Sequence, residues 1–460
     1  NNARAHNMAE IIPFRAVLYN KSKVGDLNKV MAPPYDVISP KLQDELYARH
    51  QNNIVRLILS KIEPADSEGS DRYSRAAADL EKWLSEGILV RDDKPSIYYY
   101  KQTYTLKTGK TQTRKGFIAL TRLVDFGKGI HPHEKTLSGP KADRLRLMQA
   151  ADANMSCIFS LYSEPSLGIN KTLDAAINGV SADIDVKDDD GIANSLWRVS
   201  DPAAVSAVTG ALGDKSLFIA DGHHRYDTAL NYRNQMRDKN PYHTGNEPYN
   251  FVLMYFSNMD DEGMTIWPTH RVVHSLNDFN ETSFIDRCAD YFDIERFQFT
   301  EADEEAKRKA FLESLEKAGK ETVAIGVKMR STDAYSVLTL KNAGIMDKVF
   351  GDQIPDVFKA LDVTVLHSLV LSRILGITQE AQEKQQNLVY VKSSEEAISA
   401  AGKDANQLAF LLNPTRIEQV KAVALAGFVM PQKSTYFYPK LLSGLVLNVQ
   451  GNTEAVTVKV

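Results

Sequence analysis

The sequence predicts an α+β fold of mixed strands and helices. Short strand-like and helical runs interleave without regular alternation, several strands pair as hairpins, and no internal repeat or low-complexity run occurs. With 460 residues, 43% of them hydrophobic, the chain exceeds one ordinary core and is expected to form two to three domains.

Residues Asn1–Asn7 have neither periodicity nor turn logic and are expected to be a foreign remnant, with the protein starting at Met8. Phe14–Tyr19 alternates like a strand, and Val30–Val37 reads as a strand entering a Pro33-Pro34 turn. Ser39-Pro40 then has the N-cap and first-turn proline of a helix. The apolar run Asn53–Leu59 reads as a buried strand. A helix over 71–86 carries Leu80 and Leu84 on one face and stops at Gly87. Ser96–Leu106 and Gly116–Leu123 form a hairpin across Thr108-Gly109-Lys110.

Lys128–Pro140, rich in Gly, His and Pro, reads as a loop before a helix over 141–153 and a strand over 157–162. The pattern weakens from 170 to 202, then resumes as a helix over 202–212. A compact apolar strand, Ser216–Ala220, runs into Asp221-Gly222 and a helix over 224–238. Strands follow at 251–256 and 265–273, and alternating helices and strands at 276–340. A helix over 361–375, strands at 388–391 and 408–412 and a helix over 416–426 complete the pattern.

The formal net charge of −4 supplies no broad basic field, so nucleic acid is not an expected partner. No apolar run spans a membrane and no secretion signal is evident. Two isolated cysteines, Cys157 and Cys288, argue against a disulfide framework or thiolate metal site and fit a reducing cytoplasm. Oligomeric state is not readable.

The strongest chemical signal is Ser216–Ala229, a buried strand that passes through Asp221-Gly222 directly into a helix carrying His223, His224 and Arg225. The amides of a first helical turn, with the positive end of the helix dipole, seat anions. Gly222 allows close backbone approach, and two imidazoles and a guanidinium add phosphate donors. Asp221 could hold magnesium or take a proton; alternatively it only caps the helix while Arg225 makes a salt bridge.

A second candidate is Ile130-His131-Pro132-His133-Glu134-Lys135-Thr136, followed by Lys141, Asp143, Arg144 and Arg146. His-x-His invites zinc, but Pro132 and the lack of a third partner weaken that reading. Glu134 beside a phosphate site reads better as a general base, against the alternative of a solvated loop. A third is Met430–Lys440, where Lys433, Ser434 and Thr435 offer a charge and two hydroxyls. It lacks the P-loop pattern and could equally be an aromatic strand closing the core. Asp36, aimed by two prolines, together with His133, His270 and Arg271, completes the candidates as substrate-binding groups.

Five of these blocks, in this order, resemble an uncharacterised bacterial and archaeal family, domain of unknown function 1015. They are Ala32-Pro33-Pro34-Tyr35-Asp36-Val37-Ile38, His133-Glu134-x-Thr136, Asp221-Gly222-His223-His224-Arg225, Pro268-Thr269-His270-Arg271 and Met430-Pro431-x-Lys433-Ser434-Thr435. The Asp221–Ala229 stretch is also similar to the nucleotide-phosphate motif of the ParB/sulfiredoxin superfamily, though the cysteine that sulfiredoxin chemistry needs is absent.

The resemblance implies a ParB/sulfiredoxin-like core over 8–275, and an additional α/β C-terminal region over 276–460 that returns to the site through 430–440. It implies that Gly222, His223, His224 and Arg225 hold phosphates, and the residues themselves add Lys433, Ser434 and Thr435 as candidate phosphate or nucleotide ligands. Asp221, His223 and Glu134 would be catalytic, with magnesium at Asp221 and ADP or ATP as nucleotide. The expected function is a nucleotide-dependent phosphotransferase acting on a small hydroxyl metabolite. An association of the family with serine biosynthesis makes serine the first acceptor to consider. The alternatives are a phosphatase acting on a compound such as phosphoserine, and a non-catalytic nucleotide switch.

Overall fold

The computed structural model describes residues 10–134, 138–431 and 433–450. The proposed remnant Asn1–Asn7 and Thr136 of the His-Glu block lie outside the described residues. The architecture is mixed α/β, in two compact units: residues up to 132, 138–265 and from 439 form the first, and 133–134 with 266–438 the second.

In the first unit, β1 (Ile11–Ile12), β2 (Ile97–Thr105), β3 (Thr111–Arg122), β4 (Ile130–His131), β5 (Ile158–Tyr162), β6 (Ile184–Lys187), β7 (Ala193–Val199), β8 (Leu217–Asp221) and β9 (Phe251–Asn258) share one sheet. Its order is β4-β8-β5-β9-β3-β2-β7-β6, with β1 beside β3. The expected hairpin is β2–β3, with Thr105 opposite Thr111 and Gly109 at φ +82° in the turn. Two pairings are parallel, β8 with β4 and β9 with β5.

One face of this sheet buries Ile97, Tyr99, Phe117, Met254 and Phe256. Helices α1 (Pro40–Arg49), α2 (Arg72–Ser85), α3 (Ser138–Ala151), α4 (Gly168–Ala176), α5 (Pro202–Leu212) and α6 (His223–Lys239) belong to the same unit. Leu173, Val208 and Tyr226, from the last three, close that core. On the opposite face the C-terminal segment returns over β2 and β3. Gln102 Nε2 donates to the Lys440 carbonyl (2.9 Å) and Arg114 Nη2 to that of Pro439 (2.6 Å).

The second unit is built on β10 (His270–His274), β11 (Phe292–Gln298), β12 (Ala324–Met329), β13 (Ala334–Leu340), β14 (Leu388–Val391) and β15 (Asn406–Leu412). They form an antiparallel sheet ordered β11-β13-β12-β15-β10-β14. Phe311 and Leu315 of α7 (Glu304–Glu321), with Ala397 and Ala401 of α8 (Ser394–Ala401), pack on one face.

Four local expectations are corrected. Asn53–Leu59 is not a strand: Val55–Ile58 is a helical turn. Asn53 Oδ1 accepts the Val55 amide (3.0 Å), and Asn53 Nδ2 donates to the Lys29 and Met31 carbonyls (2.8 and 3.0 Å). A short apolar run reads alike as buried strand or buried helix, and the asparagine decides for the helix. Val30–Val37 is likewise no strand; Ala32 makes one isolated bridge to Ser443, and Tyr35–Val37 is a 3-10 turn, as the two prolines lacking N–H groups require. The Lys128–Pro140 segment is not all loop, since β4 lies in it and α3 opens at Ser138. The 265–273 strand is two, Thr265–Trp267 and β10, because Pro268 cannot donate to a ladder.

Within 361–375, Leu366–Ile374 is a π-helix rather than an α-helix, with wide-turn bonds such as Leu375 N to the Val370 carbonyl. Among the described residues, no helix is long and apolar enough to cross a membrane.

Candidate functional site

In the first unit, β8 ends at Asp221 after a bulge between Ile219 and Asp221, and Gly222 turns the chain straight into α6. Gly222 sits at φ +89°, ψ 29°, the left-handed region that glycine enters without penalty. A Cβ there would lie 2.9 Å from Cζ and Nε of Arg225, so the absent side chain makes room for the guanidinium. The residue at the N-cap of α6 is Gly222, which has no side chain to cap the first turn. Asp221 Oδ1 instead accepts the Gly222 amide (2.9 Å).

Charge is concentrated around this turn. Asp221 Oδ2 lies 3.2 Å from the Lys440 ammonium and 3.7 Å from Arg225 Nη2. Arg225 Nη1 donates to the Cys157 carbonyl, which pins the guanidinium over Gly222. Burial pushes the Cys157 thiol up to about 12, against a smaller opposite pull from Arg225, so it is a neutral thiol at physiological pH. His223 is buried and His224 half-buried. Asp36 is exposed in the 3-10 turn that follows Pro34.

The remaining candidates lie in the second unit. His133 is fully buried; its Nε2 is hydrogen-bonded to Thr435 Oγ1 (2.8 Å) and its carbonyl accepts the Met430 amide (2.6 Å). Glu134 bridges Met430. Lys433, at φ +58°, offers its carbonyl to Arg271 Nη2 (3.2 Å), and Ser434 Oγ donates to the Pro431 carbonyl (2.6 Å). The expected aromatic strand follows at Tyr436–Tyr438, where Trp267 stacks on Tyr438 at 3.7 Å between ring centres. His270 Nδ1 accepts the Leu412 amide (3.2 Å).

Arg271 is fully buried, and its Nε donates to His367 Nε2 (3.2 Å). Burial lowers the Arg271 guanidinium to about 10, while Tyr390 and Glu134 oppose the fall. Burial and then Arg271 drive the His367 imidazole down to about 3, so it is neutral and can accept that bond.

The second unit thus gathers His133, Thr435, Lys433 and Arg271 from three distant blocks. The first unit gathers Asp221, Gly222 and Arg225 with Lys440, which no spacing rule singled out. Among the described residues, no group of three or more His, Cys, Asp or Glu side chains could hold a metal ion. The Asp221 oxygens are engaged by two cations and an amide, so this donor set does not fit a resident magnesium.

Comparison with solved structures finds distant likenesses. A conserved hypothetical protein from Pyrococcus furiosus is 13% identical with a TM-score of 0.33, covering 72% of this chain and 95% of its own. A free serine kinase in complex with AMP is 11% identical with a TM-score of 0.31, covering 70% and 86%. A C-terminally truncated SbnI from Staphylococcus aureus is 9% identical with a TM-score of 0.33, covering 73% and 90%. No curated protein matches the chain. The family model described as protein of unknown function (DUF1015) matches residues 11–364, and the chain belongs to that family.

Proposed function

We propose that the chain is a nucleotide-dependent phosphotransferase acting on a small hydroxyl metabolite, with ADP or ATP seated at Gly222–Arg225. The observation that carries this reading is the turn at Gly222: a strand passes into a helix whose N-cap is a glycine, with Arg225 folded over it. Such a turn presents backbone amides and the helix dipole to one anion, and the guanidinium adds charge-assisted bonds. The ParB/sulfiredoxin-like motif assigned to this stretch is part of the same proposal.

In this reading Gly222, His224 and Arg225 hold phosphate oxygens, and Lys440 and Arg225 offset charge on the transferred group. Phosphoryl transfer needs chiefly positioning and charge neutralisation, which a rigid turn supplies. Asp221 orients both cations, and it or Glu134 takes the acceptor's proton. Within the second unit, Lys433, Ser434, Thr435, His133, His270 and Arg271 are proposed as a group that binds nucleotide or substrate. No step is routed through a metal.

The test is a panel of ADP, ATP and CTP, with and without magnesium, read by thermal shift and then by phosphorylation of hydroxyl acceptors beginning with serine. Nucleotide-dependent turnover that falls at least tenfold in Asp221→Asn or Glu134→Gln supports the reading and identifies the base. Phosphate release from phosphoserine without nucleotide, or nucleotide binding without turnover of any acceptor, would replace it.

A further inference from the structure

Within the first unit lies a cavity of about 50 Å³, lined by Tyr35, Arg144, Ser156 and Arg225 and walled by Ile58 and Ile158. One water occupies roughly 10–15 Å³ on this measure, so the space admits the equivalent of three to five waters. That is far too small for a nucleotide and suits the head group of a small metabolite.

Its polar lining is arranged for an anion. Arg144 is 8% exposed, stacks on the face of Tyr35 at 3.9 Å, and is fixed by Asp143 and the Ile58 carbonyl (2.8 Å). The hydroxyls of Tyr35 and Ser156 have no hydrogen-bond partner among the described residues, although both line the cavity. Burial raises the Tyr35 phenol; Arg144 and Arg225 pull it down, while Asp36 and Asp221 push it up, so all four charges act on this hydroxyl.

The charge balance selects the kind of anion. Arg144 and Arg72 share Asp143, Arg225 and Lys440 share Asp221, and Lys141 pairs with Asp227. With Asp36 added, the charges of these described residues leave one positive over, which matches a monoanion better than a phosphate dianion.

We propose that this cavity binds the carboxylate of a small organic acid through Arg144, Arg225 and the Tyr35 and Ser156 hydroxyls. Calling that acid the phosphoryl acceptor rests on the function proposed above; the binding does not. The remainder of the acid would lie along the apolar walls, and Arg225 would stand between carboxylate and phosphate seats.

The test uses acetate, glycolate and inorganic phosphate at matched ionic strength, titrated into the full chain and into Tyr35→Phe and Ser156→Ala, with ADP titrated in parallel. Neither hydroxyl has a partner among the described residues, so neither change orphans a described buried group. The expected result is saturable binding of acetate and glycolate, tighter than phosphate, weakened roughly tenfold by each substitution, with ADP binding unchanged. Absence of carboxylate binding, binding in both variants as tight as in the unsubstituted chain, or a preference for phosphate overturns the assignment. Carboxylate binding as described without any ADP binding would leave the cavity assignment standing and remove the nucleotide seat. ADP binding without carboxylate binding would do the reverse.

Discussion

Replacing Gly222 by alanine separates two effects that meet at one atom. At φ +89°, a residue with a Cβ pays about 1–2 kcal/mol of backbone strain. For a unit of this size that is a fall in Tm of about 2–8 °C. The added Cβ would also lie 2.9 Å from the Arg225 guanidinium, which must move aside. If Arg225 bonds the bound phosphate, displacing it removes an interaction worth about 1.5–3 kcal/mol, roughly a 10- to 100-fold loss of affinity. The two losses are separated by a double-mutant cycle with Arg225→Ala, reading Tm by calorimetry and ADP affinity by titration. In the Arg225→Ala background, Gly222→Ala should still lower Tm but cost little further affinity. An equal affinity loss in both backgrounds would refute the idea that Gly222 acts by making room for Arg225.

Three other expectations follow from particular contacts. Lys440→Ala should weaken nucleotide binding about tenfold while leaving the sheet intact, measured by titration and circular dichroism, because it removes one of the two cations that face Asp221 among the described residues. Asn53→Ala should destabilise the chain by about 2–4 kcal/mol in urea unfolding, since it leaves the Lys29 and Met31 carbonyls and the Val55 amide without a partner. Burial raises the Asp362 carboxyl to about 7, so the folded state holds its proton more tightly than the unfolded state does. Its contribution is therefore full below about pH 4 and is lost as pH rises through about 7. Asp362→Asn should flatten that loss, which is on the order of 4 kcal/mol at most, in unfolding curves from pH 4 to 8.5.

The β2–β3 hairpin was legible because its signals are local: alternating Tyr-rich strands and a glycine at φ +82°. The β8–Gly222–α6 turn was legible for the same reason, an apolar strand followed by glycine and a helical run. Lys440 was not, because it reaches Asp221 across 219 residues through the return of the C-terminal segment over β2 and β3. Such a contact leaves no periodicity. Tyr35 and Arg144 stand in recognisable motifs, yet their stacking depends on tertiary packing. His367 carries no local signal, because the buried Arg271 and Gln382 that fix it come from other segments. Asn53 shows the opposite case, a local hydrogen-bonding residue that overrides an apolar run.

The most direct measurement is a crystal structure of the full chain grown or soaked with ADP. The account predicts phosphate oxygens within hydrogen-bonding distance, about 3 Å, of the first-turn amides of α6 and of the Arg225 guanidinium. A phosphate bound elsewhere, with Arg225 still turned to the Cys157 carbonyl and nothing at Gly222, would contradict it.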